Sequence, residues 1–219
     1  MSADVPAGLL LDVQRRLESL YALDPEAPVT DFVIPEEEAS AYPGGGSRTL
    51  VKDDDGGVLV GEILAGGVCR DLALSDPRVE LNGENLGSFC VLTEEVSHFL
   101  YLLFCARQDR PVSQLELELQ AEVDKYLAAV LFLSLQNEGA VSSSLRHYLF
   151  RRWRLASGVS AERAERYRTA SVLAERYCAH LESRFLKRGR LAELARETRR
   201  FYRLAQREKL ETIAEIRWA

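Results

Sequence analysis

The chain has no uninterrupted run of the roughly 18–20 apolar residues that a membrane span needs. Its opening, MSADVPAGLLLDVQRRLESLYALD, lacks the basic start and cleavage site of a secretory signal. Both absences lead to the expectation of a soluble, cytoplasmic protein with no membrane partner. Cysteine is scarce: Cys69, Cys90, Cys105 and Cys178 form no CxxC pair and are too few for a disulfide scaffold, so reduced, mostly buried thiols are expected. No repeat of fixed period occurs, and the glycines of YPGGGS lack the lysine and following helix of a phosphate-binding loop. No Ser/His/Asp or Cys/His arrangement can be argued either.

What is present is a chain of 219 residues, 47% apolar, enough to bury a sizeable core in one domain or in one domain with an appendage. The net charge of −6 conceals an asymmetry, because residues 1–140 carry 9 basic and 25 acidic side chains whereas residues 141–219 carry 19 and 9. An acidic front and a basic back can neutralise each other across an internal interface or leave the back to meet an acidic partner.

Apolar residues at Leu9, Leu10, Val13, Leu17, Leu20 and Tyr21 have amphipathic helical spacing, which predicts a helix over 5–23 that Asp24-Pro25-Glu26 ends. From 29 to about 74 the period shortens. VTDFVIP, RTLVK and VLVGEILAGGV are β-branched and alternating, with YPGGGS and DDDGG as turns between them, which predicts three or four strands, the last two a hairpin around 54–57. Helices follow at 88–108, 113–136, 142–157, 160–187 and 191–216. The expected architecture is α+β, a small N-terminal sheet and then a helical majority.

Within VLTEEVSHFLYLLF, Glu94, Glu95 and His98 can address one side of a helix, since residues three and four apart share a face. Carboxylate oxygen and neutral imidazole nitrogen both suit zinc, iron or manganese, but one helix does not close a site. The next helix, LELELQAEVDKYL, offers Glu118 and Glu122 one turn apart.

EEVSH resembles the HExxH helix of zinc metallopeptidases with Glu94 in place of the first histidine. In the thermolysin-like gluzincins a third ligand, a glutamate, lies on the following helix about twenty residues beyond the second histidine, and an acid one turn later steadies the first; here Glu118 lies twenty positions after His98 and Glu122 four further on. The resemblance covers residues 29–136. It implies a zincin-like α+β core over 1–137 and a helical extension over 138–219 packed on it. It also implies metal ligands Glu94, His98 and Glu118, a general base Glu95, and Glu122 behind the ligands. The exchange of histidine for Glu94 gives one neutral and two anionic ligands, which weakens the Lewis acidity of the metal. It also sets Glu122 against Glu94 as a like charge, unless one is protonated or the metal lies between them. An inactive peptidase homologue that works by protein–protein interaction is therefore expected. The alternative is an active metal-dependent hydrolase using Glu95.

Two other readings stand beside this one. Thr93 can be an N-cap with Glu94 and Glu95 in the first helical turn, where acids favour the helix dipole; His98 is then packed, Glu118 and Glu122 are a solvated face, and no cofactor is required. Alternatively, Glu95-Val96-Ser97-His98 is an ExxH of a ferritin-like carboxylate metal protein, but that fold needs a second ExxH, and Glu175 followed by Cys178 does not supply it. For an oxyanion partner, His147-Tyr148 or Tyr177 with His180 can be offered on no spacing rule. HYLFRRWRLA is the best basic-aromatic cluster, yet ERAERYR and LARETRRFYRLAQREK alternate charge as ion-paired helix faces do, which argues against nucleic acid. A protein partner is better met by the C-terminal helices, where Ile213, Ile216 and Trp218 require burial.

Overall fold

The computed structural model describes residues 6–24, 27–42, 44–54, 57–139, 144–151 and 160–216. It is mostly helical, with one two-stranded antiparallel sheet among the described residues. Helix α1 (Ala7–Tyr21) forms where the apolar spacing predicts it and buries Leu9, Leu10, Val13, Leu17 and Tyr21. Strands β1 (Arg48–Asp54) and β2 (Gly57–Ile63) make the expected hairpin, in a register running from Arg48 opposite Ile63 to Asp54 opposite Gly57.

The further strands do not form. VTDFVIP is bracketed by Pro28 and Pro35, whose fixed φ and missing donors suit a tight turn. Accordingly Val29–Phe32 is a 3-10 turn, followed by one parallel bridge from Val33 to Glu62. The AGGV end of the last expected strand also turns away. Beyond Gly66 the buried positions Cys69 and Leu72 are three apart, a helical spacing, and Gly66–Leu74 is α3. A short helix α2 (Glu36–Ala39) brings the Glu36 carboxylate into the space that a side chain at Gly66 would occupy.

Helix α4 (Leu86–Arg107) is apolar on most of its circumference, long enough by composition to cross a membrane, and largely covered here by protein. It packs on α1, α3 and both strands. Fully buried Asn85 precedes it at the N-cap position and ties down the loop before the helix, its side chain accepting from Asn82 N at 2.9 Å and donating to Glu80 O at 2.8 Å. Thr93 is thus in the helix interior, where its hydroxyl donates to Phe89 O at 2.8 Å, and it caps nothing. Glu94 and Glu95 accordingly sit two turns into the helix, and the helix-start reading fails.

Ser113 does cap a helix, accepting from Glu116 N at 3.1 Å to open α5 (Gln114–Gln136). The two long helices run antiparallel, since Phe89 meets Phe132, Ser97 meets Asp124, and Tyr101 meets Glu116. Of the helix expected at 142–157, the described part is α6 (Leu145–Arg151); Arg152, Trp153 and Arg154 lie outside the described residues. Helix α7 (Ala161–Arg184) opens on the Ser160 cap and packs along α5.

The single helix expected over 191–216 is two, α8 (Leu191–Arg203) and α9 (Gln206–Glu215). Tyr101 Oη and Arg110 Nη1 both donate to Leu204 O at 3.4 Å, while Glu208 Oε2 accepts from Ala205 N at 3.0 Å and restarts the helix. The apolar faces of both helices are used internally. Tyr202 stacks on Tyr21 at 4.1 Å, Phe201 stacks on Tyr177 at 3.8 Å, and Ile213 is buried. Trp218 lies outside the described residues.

The basic half meets the acidic half at a helix end. Arg199 and Arg203 donate to the carbonyls of Leu20 and Tyr21, each at 2.9 Å, and so satisfy the negative end of the α1 dipole. Deeper in, α1, α4, α5 and α9 converge on Asp124, which accepts from Ser97 at 2.5 Å, from Gln120 at 2.8 Å and from Tyr21. Gln120 in turn accepts from fully buried Lys209 at 2.6 Å.

Candidate metal centre

Helix α4 presents Glu94 and His98 on the side that faces α5, and α5 returns Glu118. Each offers one ligand atom, and the three atoms lie within 4.8 Å of one another. His98 is 7% exposed and Glu118 8%, so neither belongs to a solvated face. His98 Nε2 lies 3.9 Å from Glu118 Oε2 and is buried with no hydrogen-bond partner. A buried ring nitrogen without a partner costs free energy unless something else coordinates it.

Burial, reinforced by the charges of Lys125 and Arg163, pushes the His98 pKa down to about 4, so the imidazole is neutral with a lone pair to offer. Burial also pushes the Glu118 carboxyl up to about 8, with Glu94 adding to the rise. Both shifts are led by burial, which disfavours the charged form of each group. A tetrahedral ion with bonds of about 2.0–2.1 Å sets its donors about 3.3 Å apart. The 3.9 Å between Nε2 and Oε2 is about 0.6 Å longer than this, and all three donor atoms lie within 4.8 Å of one another. Two carboxylates and one neutral imidazole suit zinc, manganese or iron(II). By orphan atom, spacing and donor chemistry, the residues fit a divalent ion.

The like-charge conflict between Glu94 and Glu122 is resolved by a residue that the sequence reading passed over. Lys125 places its ammonium 2.9 Å from Glu94 Oε2 and 2.6 Å from Glu122 Oε1. Burial works against the Glu94 charge and Lys125 outweighs it, so Glu94 ionises below the usual carboxylate range. Glu122 therefore stands behind Lys125, and among the described residues no hydrogen bond reaches Glu94 Oε1. The signal was present as DKYL, a lysine three residues after Glu122 and so on its face.

Glu95 lies on the other edge of the imidazole. Its Oε2 is 3.9 Å from His98 Nδ1 and 3.0 Å from Thr49 Oγ1. The same Thr49 hydroxyl is 2.8 Å from Glu62 Oε2, because Thr49 and Glu62 are opposite one another in the β1–β2 register. A hydroxyl has one proton to give, so it donates to one carboxylate and accepts from the protonated oxygen of the other. At least one of Glu62 and Glu95 is therefore a neutral acid. In agreement, burial pushes Glu62 up to about 8, and burial together with the Glu62 charge raises Glu95 well above its usual range.

The other offered residues are engaged elsewhere. Tyr177 is stacked on Phe201, His180 packs edge-on against Phe185, and Tyr148 is 39% exposed. Glu175, the alternative ExxH acid, is paired with Arg146 and Arg151. Instead α7, which packs along α5, carries Arg163, Arg166 and Tyr167 in its first turns. The fields of Arg163 and Arg166 act on Glu118, and that of Arg163 also acts on Glu94 and His98. Comparison of the chain with protein-family models, curated proteins and solved structures found no significant match.

Proposed function

We propose that the chain is a zincin-like protein whose altered site, Glu94, His98 and Glu118, holds a divalent ion of the zinc class, and that it acts by binding rather than by efficient peptide hydrolysis. The observation that carries the reading is the buried, unpartnered Nε2 of His98 with two carboxylates converging on it. The hairpin before the motif helix, with β1 and β2 packed on α4, supports the zincin-like arrangement. A bound ion would supply Lewis acidity, lowered here by the second anionic ligand. Lys125 holds Glu94 and Glu122 together without repulsion, and Thr49 and Glu62 fix Glu95 against the Nδ1 edge of His98.

The position of Glu95 separates binding from hydrolysis. A general base must reach the water that it deprotonates. Glu95 is tied to Thr49 and lies on the Nδ1 side of the ring, away from Glu118, so its place is beside the imidazole and not across the cluster from it. Of the C-terminal helices, expected to offer an apolar face to a partner, the described part buries Phe201, Tyr202 and Ile213 in the core and leaves Leu191 exposed.

The test is metal content by mass spectrometry on protein purified without chelator or tag metal, beside His98→Ala and Glu118→Ala. The reading expects near-stoichiometric metal that both variants lose. Metal-free wild type that still fails to take up added zinc, manganese or iron(II) would refute it. Peptide hydrolysis by the wild type that Glu95→Gln abolishes would restore the enzyme alternative.

A further inference from the structure

Several arginines of the basic half are engaged within the chain, Arg199 and Arg203 on the carbonyls that end α1, Arg146 and Arg151 on Glu175. The turn between α7 and α8 is different. Residues 183–192 carry four basic side chains and no acidic one. Lys187 pairs with Glu182 at 2.7 Å, but Arg184, Arg188 and Arg190 are exposed and, among the described residues, make no side-chain hydrogen bond or ion pair.

The backbone holds these cations at the tip of a helical hairpin. Tyr177 stacks on Phe201 at 3.8 Å, and Gly189 lies midway between them in sequence, so the chain reverses there. A single 3-10 turn (Leu186–Arg188) and Gly189, at φ 64°, make the reversal. The Phe185 carbonyl accepts from Arg188 N at 3.1 Å and from Arg190 N at 3.0 Å, and the buried Phe185 ring anchors the turn. Cations at the end of α7 suit its dipole, which accounts for Arg184, Lys187 and Arg188. It does not account for Arg190. That residue is the N-cap of α8 and makes no side-chain cap, at a place where serine, aspartate or asparagine would bond the open amides and a cation opposes the dipole. Leu191, directly after it, is 64% exposed.

Unpaired cations beside an exposed leucine match a surface that is negative outside and apolar beneath. Peptides are held in grooves or along sheet edges, which the tip of a helical hairpin does not offer. Single-stranded nucleic acid needs exposed rings to stack on, and Phe185, the aromatic residue of this turn, is buried. We propose that the α7–α8 turn is a peripheral contact for an anionic lipid surface, with Arg184, Arg188 and Arg190 on the headgroups and Leu191 entering the headgroup layer. The contact spans nothing and does not depend on the metal reading.

The experiment incubates the full chain, in metal-free buffer, with vesicles of phosphatidylcholine alone or of phosphatidylcholine mixed with phosphatidylserine, and measures the fraction that sediments with them. The comparison proteins are the triple variant Arg184→Gln/Arg188→Gln/Arg190→Gln, Leu191→Ser and, as a control, Arg207→Gln, whose arginine is exposed and paired with Glu211 on α9. All the altered side chains are exposed, and circular dichroism checks that each variant keeps the fold. The expected result is sedimentation with the phosphatidylserine vesicles only, weaker by about tenfold or more in the triple variant, weaker in Leu191→Ser and unchanged in the control. Salt that shortens the Debye length to about 3 Å should release the chain. Wild type that ignores both vesicles or sediments equally with both, a triple variant that sediments as well as wild type, or binding that Leu191→Ser leaves intact overturns the proposal. Duplex DNA bound through the same arginines while the vesicles are ignored overturns it in favour of a nucleic acid.

Discussion

Lys125 Nζ lies 2.9 Å from Glu94 Oε2 across the α4–α5 interface, and the same ammonium is 2.6 Å from Glu122 one turn away on its own helix. One buried cation thus serves two carboxylates that would otherwise repel each other, and it keeps Glu94 ionised and available. Removing one partner of a buried ion cluster leaves uncompensated charge, at a cost of about 3–5 kcal/mol. Lys125→Met is expected to lose stability on that order in urea unfolding of the metal-free protein. A loss below about 1 kcal/mol, within the range of an exposed pair, would show that the two carboxylates do not depend on it.

Glu62 predicts a pH dependence of stability. Its carboxyl is pushed from 4.5 to about 8 by burial, so the folded chain keeps a proton that the unfolded chain releases. The resulting stabilisation is complete below the unfolded value and is lost as pH rises toward the folded one. The slope is about 1.4 kcal/mol per pH unit for one proton. Glu62→Gln, which keeps the shape and does not titrate, should flatten the fall of unfolding free energy between about pH 5 and 8. A variant with the wild-type slope would assign the proton to another group.

Lys209 predicts the opposite sign. Burial pushes its pKa from 10.5 down to about 7, against the raising effects of Glu116 and Asp124, so the folded chain sheds a proton that the unfolded chain keeps. This contribution to stability rises with pH from about 7 toward 10.5, again at about 1.4 kcal/mol per unit. Lys209→Met should remove that rise, while leaving Gln120 Oε1 without its donor at a cost of about 1–3 kcal/mol. The difference between wild type and variant, followed by urea unfolding from neutral to alkaline pH, should widen with pH. A constant difference would contradict a titrating amine.

Ser160 caps α7 by accepting from Arg163 N at 3.3 Å. Ser160→Ala should cost about 1 kcal/mol, as cap losses do, with faster amide exchange confined to the first turn of α7. Unchanged exchange there would mean that tertiary packing, not the cap, holds Arg163 in place.

The clustering of Glu94, His98 and Glu118 was legible in the sequence because their spacing is local on each helix and the two helices are joined by a short connection. Glu94 and His98 are four apart, Glu118 and Glu122 are four apart, and antiparallel packing of consecutive helices brings the pairs together. Thr49, Glu62, Arg163, Arg166 and Tyr167 could not be read that way, because strand register and the docking of α7 place them across long sequence separations. The misjudged Thr93 has a different cause. A threonine before two glutamates has the composition of a helix start, but the helix was already under way from Leu86. The strand reading of VTDFVIP failed through its flanking prolines, and the single helix over 191–216 failed because Leu204 O is captured by Tyr101 and Arg110.

The most direct test of the account is the shift in urea unfolding on adding zinc to metal-free protein. A ligand that binds only the folded state at a hundred times its dissociation constant stabilises by about 2.7 kcal/mol. The account predicts a shift of this order in wild type that is absent in His98→Ala and Glu118→Ala. No shift in wild type, or an equal shift in all three proteins, would contradict a metal centre at Glu94, His98 and Glu118.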